Sequence, residues 1–249
     1  MPYREKKIYS GKMLEVEIYP ITFQDRKQSR RKKEKVSETK QKNLNDKNAR
    51  KHLVRLVDTN FTDNDLHITN TYTDKELPKS EDELKRDGKN YIRRINRARK
   101  RIGLSPAKYI MVYEYKEDKT GKPIRMHIHI IMEGGLDRDT IEKLWKKGRC
   151  NTSRLQADEY GYEGLARYIS KDPKGKKRWI SSRNLKQPIV KVNDFKYSNR
   201  KVRELSKNQG DKQEFERLYP GYTFTSYEVS INEVTAGTYL YIKMRKEDG

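Results

Sequence analysis

Two histidines one residue apart, His127 and His129, lie in the run Arg125-Met126-His127-Ile128-His129-Ile130-Ile131-Met132. Side chains alternate between the faces of a strand, so the imidazoles share one face and Met126, Ile128, Ile130 and Met132 the other. Such a pair is either two hydrogen-bonded surface histidines or part of a metal site. Lys108 to Lys116 reads as a second strand, and Thr120-Gly121-Lys122-Pro123 as a turn. A hairpin centred between Thr120 and Gly121 sets Glu114 opposite His127 and Val112 opposite His129. It also sets Tyr113 opposite Ile128 and Met111 opposite Ile130. One face then gathers Glu114, His127 and His129, and a slip of one residue would scatter the set. Two imidazoles and a carboxylate are donors for a metal. Three protein ligands leave coordination positions open, which suits catalysis rather than structure.

A second chemical pair is Tyr168 and Lys171. Tyr160 to Asp172 reads as a helix ended by Pro173. Tyr162, Leu165, Ala166 and Ile169 recur at i, i+3, i+4 and i+7 and make its core stripe. At about 100° per residue, Tyr168 and Lys171 lie about 60° apart and off that stripe. Gly161 and Gly164 flank the side of Tyr168, where backbone or ligand can approach closely. A phenol ionises only near pH ~10, and both a neighbouring ammonium and a metal-polarised phosphate favour attack by its oxygen. The product would be a phosphotyrosine ester, a covalent intermediate. Alone, Tyr-x-x-Lys says little. It gains weight by following the His-x-His strand after one helix and one short strand.

The elements around these groups come from a chain of 249 residues, enough for one sizeable domain or one domain with appendages. Charged residues make up 38% and hydrophobic ones 33%, so the core is modest. Lys+Arg 58 against Asp+Glu 36 gives +22, which points to a polyanion, nucleic acid before anionic membrane. A merely solvated basic surface is the plain alternative. No apolar run approaches the ~20 residues of a membrane span, and no signal region follows Met1. Cys150 is the single cysteine, which excludes an intrachain disulfide and a multi-cysteine zinc site. A soluble, intracellular protein is expected.

Ile8 to Thr22 alternates weakly, as a strand would. Arg26 to Arg50 is an exposed helix or disordered arm, densest at Arg30-Arg31-Lys32-Lys33. It serves as phosphate contact or as solvated linker. Leu53 to Val57 reads as a short strand. Asp65 to Tyr72 alternates strictly, with His67, Thr69 and Thr71 on one face and His67 an ordinary strand histidine. Ser80-Glu81-Asp82-Glu83 is a capping box for a helix whose buried stripe is Leu84, Tyr91, Ile95, Ala98 and Ile102. Its outer faces carry Arg93, Arg94, Arg97, Arg99, Lys100 and Arg101, and Gly103 closes it. A helix over Asp137 to Lys147 and a short strand over Cys150 to Leu155 follow. Lys174 to Arg178, with Lys174, Lys176 and Lys177, is a basic loop. Trp179 beside it closes the core or, less simply, stacks on an unpaired base. Strands are expected over Ile189 to Phe195, Thr223 to Ile231 and Thr238 to Met244. A helical region over Asn199 to Tyr219 is interrupted at Gly210. No Gly-x-x-x-x-Gly-Lys-Ser/Thr phosphate loop is present, so no helicase or motor domain is expected.

His127-Ile128-His129 matches the His-hydrophobic-His motif of HUH endonucleases, and Tyr168-Ile169-Ser170-Lys171 the Tyr-x-x-Lys motif of their rolling-circle replication initiator (Rep) branch. Leu66 to Thr73 stands, more loosely, at that family's first strand motif, and Glu114 at its third metal ligand. The likeness spans roughly His52 to Asn184. The histidines precede the tyrosine, unlike in conjugative relaxases. Lys171 replaces the glutamine usual in single-tyrosine transposases. The chain therefore most resembles phage- and plasmid-type Rep proteins without a helicase domain.

That resemblance implies an α+β fold: an antiparallel sheet of about five strands, with helices on one face and the site on the other. The residues themselves divide the chain into a basic N-terminal extension (1–51), a domain (52–186) that the resemblance makes catalytic, and, after Gln187-Pro188, a C-terminal α/β accessory subdomain (187–249). The implied activity is site-specific nicking and rejoining of single-stranded DNA at a replication origin, at a hairpin or iteron region, through a 5′-phosphotyrosine on Tyr168. Glu114, His127 and His129 would hold Mn²⁺ or Mg²⁺, with Mn²⁺ preferred. Imidazoles by themselves favour zinc or other transition ions. Lys171 would orient or stabilise charge. Arg30, Arg31, Lys32, Lys33, Arg94, Arg97, Lys174, Lys176, Lys177 and Trp179 would contact DNA. A host helicase and polymerase are the expected partners, in bacterial cytoplasm, with no membrane. Two other readings stay open: a single-tyrosine transposase of the same superfamily, and a non-catalytic RRM-like binding protein, which would need stacking aromatics on the exposed sheet face.

Overall fold

The computed structural model describes residues 2–21, 38–117, 119–120, 123–170, 179–207, 211–231 and 237–247. The chain is α+β. Its strands are β1 (Tyr3–Ser10), β2 (Met13–Pro20), β3 (Leu66–Thr71), β4 (Tyr109–Glu117), β5 (Pro123–Met132), β6 (Cys150–Arg154), β7 (Ile180–Ser181), β8 (Ile189–Asn193), β9 (Tyr222–Ile231) and β10 (Thr238–Lys246). Its helices are α1 (Glu38–Asn60), α2 (Glu81–Arg101), α3 (Arg138–Lys143), α4 (Glu163–Ile169), α5 (Asn199–Lys207) and α6 (Lys212–Leu218). They divide into two compact units, each with a five-stranded antiparallel sheet.

One unit comprises Asn60–Ala157 and Tyr162–Lys186, with strand order β6-β3-β5-β4-β7. Met126, Ile128, Ile130 and Met132 of β5 pack with Leu66, Ile68 and Met111 against Leu84, Tyr91, Ile92 and Ile95 of α2, and against Ile141 and Trp145. Two polar tips in this core find backbone acceptors. The Trp145 indole donates to the Thr71 carbonyl (2.6 Å) and the Tyr91 hydroxyl to the Ile141 carbonyl (2.9 Å). Helix α2 starts where its cap sequence predicts: Ser80 Oγ accepts from the Glu83 N–H at 3.2 Å. The Glu83 carboxylate accepts from the Lys79 N–H, one residue earlier than a standard box has it. Gly88 brings α2 close to the sheet, because a Cβ there would stand 2.7 Å from Met111 Sδ and 2.8 Å from the Tyr113 hydroxyl.

The far end of α2 differs from expectation. Ile102 is 59% exposed, while Ile92 and Arg99 are buried. The helix stops at Arg101, so Ile102 no longer follows the stripe. Arg99, expected outside, donates to the carbonyls of Ser105 (2.8 Å) and Gly134 (2.6 Å) and pairs with Glu133 at 3.1 Å. A buried guanidinium is tolerable only with such partners. Helix α3 ends at Lys143, with Leu144 as its C-cap, and is shorter than its sequence suggests.

The other unit comprises Met1–Thr59, Asp158–Gly161 and Gln187–Gly249, with strand order β8-β1-β2-β10-β9. Leu14, Val16, Ile18, Leu240, Ile242 and Met244 meet Val202 and Leu205 of α5 and Phe215 of α6. Arg55 of α1 donates through Nε and Nη2 to the two oxygens of the Glu15 carboxylate (3.0 and 2.6 Å). Leu53 to Val57, expected as a strand, belong to α1. Leu53, Val54, Leu56 and Val57 are buried, and their i, i+1, i+3, i+4 spacing is that of one helix face. Residues 38–50 of the basic segment are helical, and residues 22–37 fall outside the described residues. The first two strands of the chain pair with strands from its end: β1 with β8 and β2 with β10.

Candidate active site

From Tyr109 to Glu114 the hairpin of β4 and β5 has the expected register, and nearer the turn it is shifted by one residue. Glu114 pairs with His127, Val112 with His129, Tyr113 with Ile128 and Met111 with Ile130. A shift between Glu114 and Lys116 interrupts the ladder just beyond the carboxylate, where a bulge re-aims side chains. One Glu114 oxygen, Oε2, lies 3.7 Å from His127 Nδ1 and 3.6 Å from His129 Nε2. Donor atoms that share one metal at about 2.0–2.2 Å stand roughly 3 Å apart, so these three are slightly open. Among the described residues, no three such side chains are already closed to metal-holding distance. His127 Nδ1 is nevertheless buried without a hydrogen-bond partner. A buried ring nitrogen left bare beside a carboxylate is what a cation would satisfy, so the donor set fits a divalent ion.

Strand β3 completes the surroundings. Thr69 pairs with His129 and Thr71 with His127. Thr69 Oγ1 lies 3.4 Å from His129 Nδ1. A hydroxyl can donate or accept, so it serves His129 whether or not Nε2 carries the proton. The His67 ring stacks on His129, with centroids 5.7 Å apart and planes 14° from parallel, and its Nε2 is buried without a partner. Burial, and after it His129, pushes His67 down to about 4. Burial also lowers the pKa of His129; Glu114 acts against that and His127 with it. Both rings are therefore neutral near pH 7, the form that ligates. Read from sequence, His67 is an ordinary strand histidine. The alternation of β3 places it on one face with Thr69 and Thr71, but the β3–β5 pairing that brings this face beside His129 has no local signal.

Tyr168 lies on α4, a helix of seven residues, and is 53% exposed. Its ring meets His129 edge-on, with centroids 5.7 Å apart at 80°. Of the expected core stripe, Ala166 and Ile169 are buried on α4 and Tyr162 is buried at its N-cap, while Leu165 is only half-buried. The Tyr162 hydroxyl donates to Asp63 Oδ1 at 2.9 Å. Tyr160, expected on the same helix, lies before it in a turn grouped with the other unit. A Cβ at Gly164 would meet nothing within 4 Å, so that side of α4 is open. Gly161 has another reason: its φ is +73°, and a Cβ would stand 2.6 Å from Asp58 Oδ1.

Lys171 lies outside the described residues, as do Arg30, Arg31, Lys32, Lys33, Lys174, Lys176 and Lys177. Arg94 is half-buried, and its Nε donates to the carbonyl of Leu144 at 2.8 Å, satisfying the end of α3. Arg97 is exposed on the same helix. Both belong to α2, which packs on the face opposite the histidines. Trp179 is half-buried beside β7. On the histidine face, the paired positions are Ile110, Val112, Glu114, His127, His129, Ile131, His67, Thr69, Thr71, Asn151 and Ser153. None is Tyr, Phe or Trp, so these strands offer no platform of the RRM kind.

Fold and site together define an antiparallel α+β unit that holds two imidazoles and a carboxylate beside an exposed phenol. The family model of the Replication-associated protein ORF2/G2P matches residues 65–173, the stretch that carries β3 through α4. The likeness is to a family of replication-associated proteins. No curated protein and no solved structure matches the chain. Among the described residues, no helix is long and apolar enough to cross a membrane.

Proposed function

We propose that this chain is an HUH-type endonuclease that nicks and rejoins single-stranded DNA at a rolling-circle origin. The observation that carries this is the Tyr168 ring set edge-on against His129, whose Nε2 faces the Glu114 carboxylate shared with His127. Glu114, His127 and His129 would hold Mn²⁺ or Mg²⁺. Such an ion, when bound, polarises the scissile phosphate.

Tyr168 Oη attacks the phosphorus, the bond from phosphorus to the 3′ oxygen breaks, and the phenol proton leaves to solvent or a base. The 5′ end stays on Tyr168 as a phosphodiester, and the 3′ oxygen takes up a proton to become a free hydroxyl. Attack by a 3′ hydroxyl on the phosphotyrosine reverses the step and rejoins the strand. Thr69 fixes the plane of the His129 ring, and the ring in turn limits where the Tyr168 ring can lie. Lys171, three residues after Tyr168 in the sequence, would supply positive charge to the reaction. The freed 3′ hydroxyl would prime a host polymerase, with a host helicase opening the duplex.

The test is incubation with labelled single-stranded origin DNA and Mn²⁺, followed by peptide mapping of any adduct. A nucleotide on Tyr168, absent from Tyr168→Phe, is expected. Attachment to another tyrosine refutes the assignment.

A further inference from the structure

From Arg86 onward, helix α2 presents one kind of side chain to solvent. From Arg86 to Arg101 its exposed residues are Arg86, Lys89, Arg93, Arg97, Lys100 and Arg101, all cations. Their spacing of three and four residues makes one continuous stripe. From Arg86 to Lys100 it rises about 21 Å. Arg86 pairs with Glu83, and Arg93 leans on the Asn90 side chain. Lys89, Arg97, Lys100 and Arg101 have no carboxylate partner among the described residues.

The helix itself does not call for this. Cations favour a helix C-terminus only within its last turn, here Arg99, Lys100 and Arg101. Arg86, Lys89, Arg93 and Arg97 lie before it. Like charges three and four apart destabilise a helix by about 0.2–0.5 kcal/mol per pair. Solubility would be served equally by mixed signs. A stripe of one sign is therefore matched to a partner of the other.

We infer that the outer face of α2 is a docking surface for double-stranded DNA, gripped through its phosphates. The stripe holds no aromatic side chain, and single strands are bound by stacking as well as charge. Its cations suit backbone contact, which positions a duplex without selecting a sequence. Helix α2 packs through Leu84, Tyr91 and Ile95 on the sheet face opposite His127 and His129. A sheet-to-helix layer of about 10 Å, plus the helix itself, separates this surface from the histidines. A duplex held here is thus a different segment from any strand held at Glu114 and the histidines. The inference rests on charge and layering and stands whether or not the chain cleaves DNA.

The test compares two quartets in the full chain, by anisotropy with a labelled 30-base-pair duplex of arbitrary sequence and with a single strand, across a salt series. One quartet is Arg86→Gln, Lys89→Gln, Arg93→Gln and Lys100→Gln. The other, Arg200→Gln, Arg203→Gln, Lys207→Gln and Arg217→Gln, removes the same charge from exposed positions of α5 and α6. Glutamine matches lysine and arginine in helix propensity, so α2 keeps its fold, which circular dichroism checks. The α2 quartet should flatten the slope of log K against log salt for duplex by about 3 to 4 and weaken binding at least about tenfold at 0.1 M salt. The second quartet should change the duplex slope by less than about 1, and the single-strand affinity should hold within about twofold in both. Equal losses from the two quartets would reduce the stripe to bulk charge. An unchanged duplex slope, or an equal loss for the single strand, would likewise overturn the inference. If the quartet lowers helicity, Lys89→Gln/Arg93→Gln is measured instead, with half the slope change expected and an unchanged slope again counting against the surface.

Discussion

His129 is held on three sides: Thr69 at Nδ1, the stacked ring of His67, and the edge of Tyr168. In the proposed mechanism, His127→Ala or His129→Ala should remove nearly all nicking, as should EDTA. Glu114→Ala should instead raise the metal concentration needed for half-maximal cleavage. Full activity of the double histidine variant in chelator would sink the metal site. Tyr162→Phe separates chemistry from packing: losing its bond to Asp63 should cost about 1 kcal/mol of stability and leave adduct formation intact. His67 makes a pH prediction. Its folded pKa, about 4, lies below its unfolded value near 6.5, so the unfolded state binds more protons between them. The stability it supports is complete above 6.5 and is lost as pH falls through about 4. Urea titrations in EDTA should show that His67→Phe flattens this acid limb. The variant should lose nothing at pH 7, because it removes a buried nitrogen that has no partner.

Helix α2 and the β4–β5 hairpin show how far a sequence pattern reaches. The hairpin was legible from Met111 to Glu114, where the alternation of Met111, Tyr113, Ile128 and Ile130 leaves one solution, but not next to its turn, where Lys116 pairs with Ile124 and Glu117 with Pro123, one residue off the expected register. Helix α2 was legible at its cap but not at its end. Arg99 reads as a surface residue until the carbonyls of Ser105 and Gly134, from loops beyond the helix, arrive around it. Arg99→Met keeps the bulk and leaves those groups and Glu133 with fewer partners. Thermal unfolding should report a loss on the order of 3 kcal/mol, from bare buried polar groups rather than lost volume. Retention of wild-type stability would mean that water replaces the guanidinium.

In the whole molecule, the sequence hid most. The segments 1–51 and 187–249 read as an extension and an accessory piece, yet β2 lies between β1 and β10. Strand pairing across more than 200 residues leaves no local trace, and the weak alternation over Ile8 to Thr22, expected as one strand, spans the end of β1, the turn at Gly11 and Lys12, and β2. Truncation after Lys186 would strip β8, β9 and β10 and leave Val16 and Ile18 without Leu240 and Ile242. Such a fragment should lose the cooperative melting transition of the unit that contains β1 and β2, and aggregate through the bare edge of β2. A soluble, cooperatively folded 1–186 fragment would contradict this.

Strand β5, with His127 and His129, is the middle strand of its sheet and is paired on both sides from His127 to Met132, whereas Tyr168 rides a seven-residue helix. Amide exchange should therefore be among the slowest in the unit at the two histidines and among the fastest along α4. In the proposed mechanism, the donors that must stay fixed would sit in the last part of the unit to open. The tyrosine that would depart carrying a DNA end sits where local opening takes little free energy, so the attached strand can be handed on while the donor cluster stays assembled.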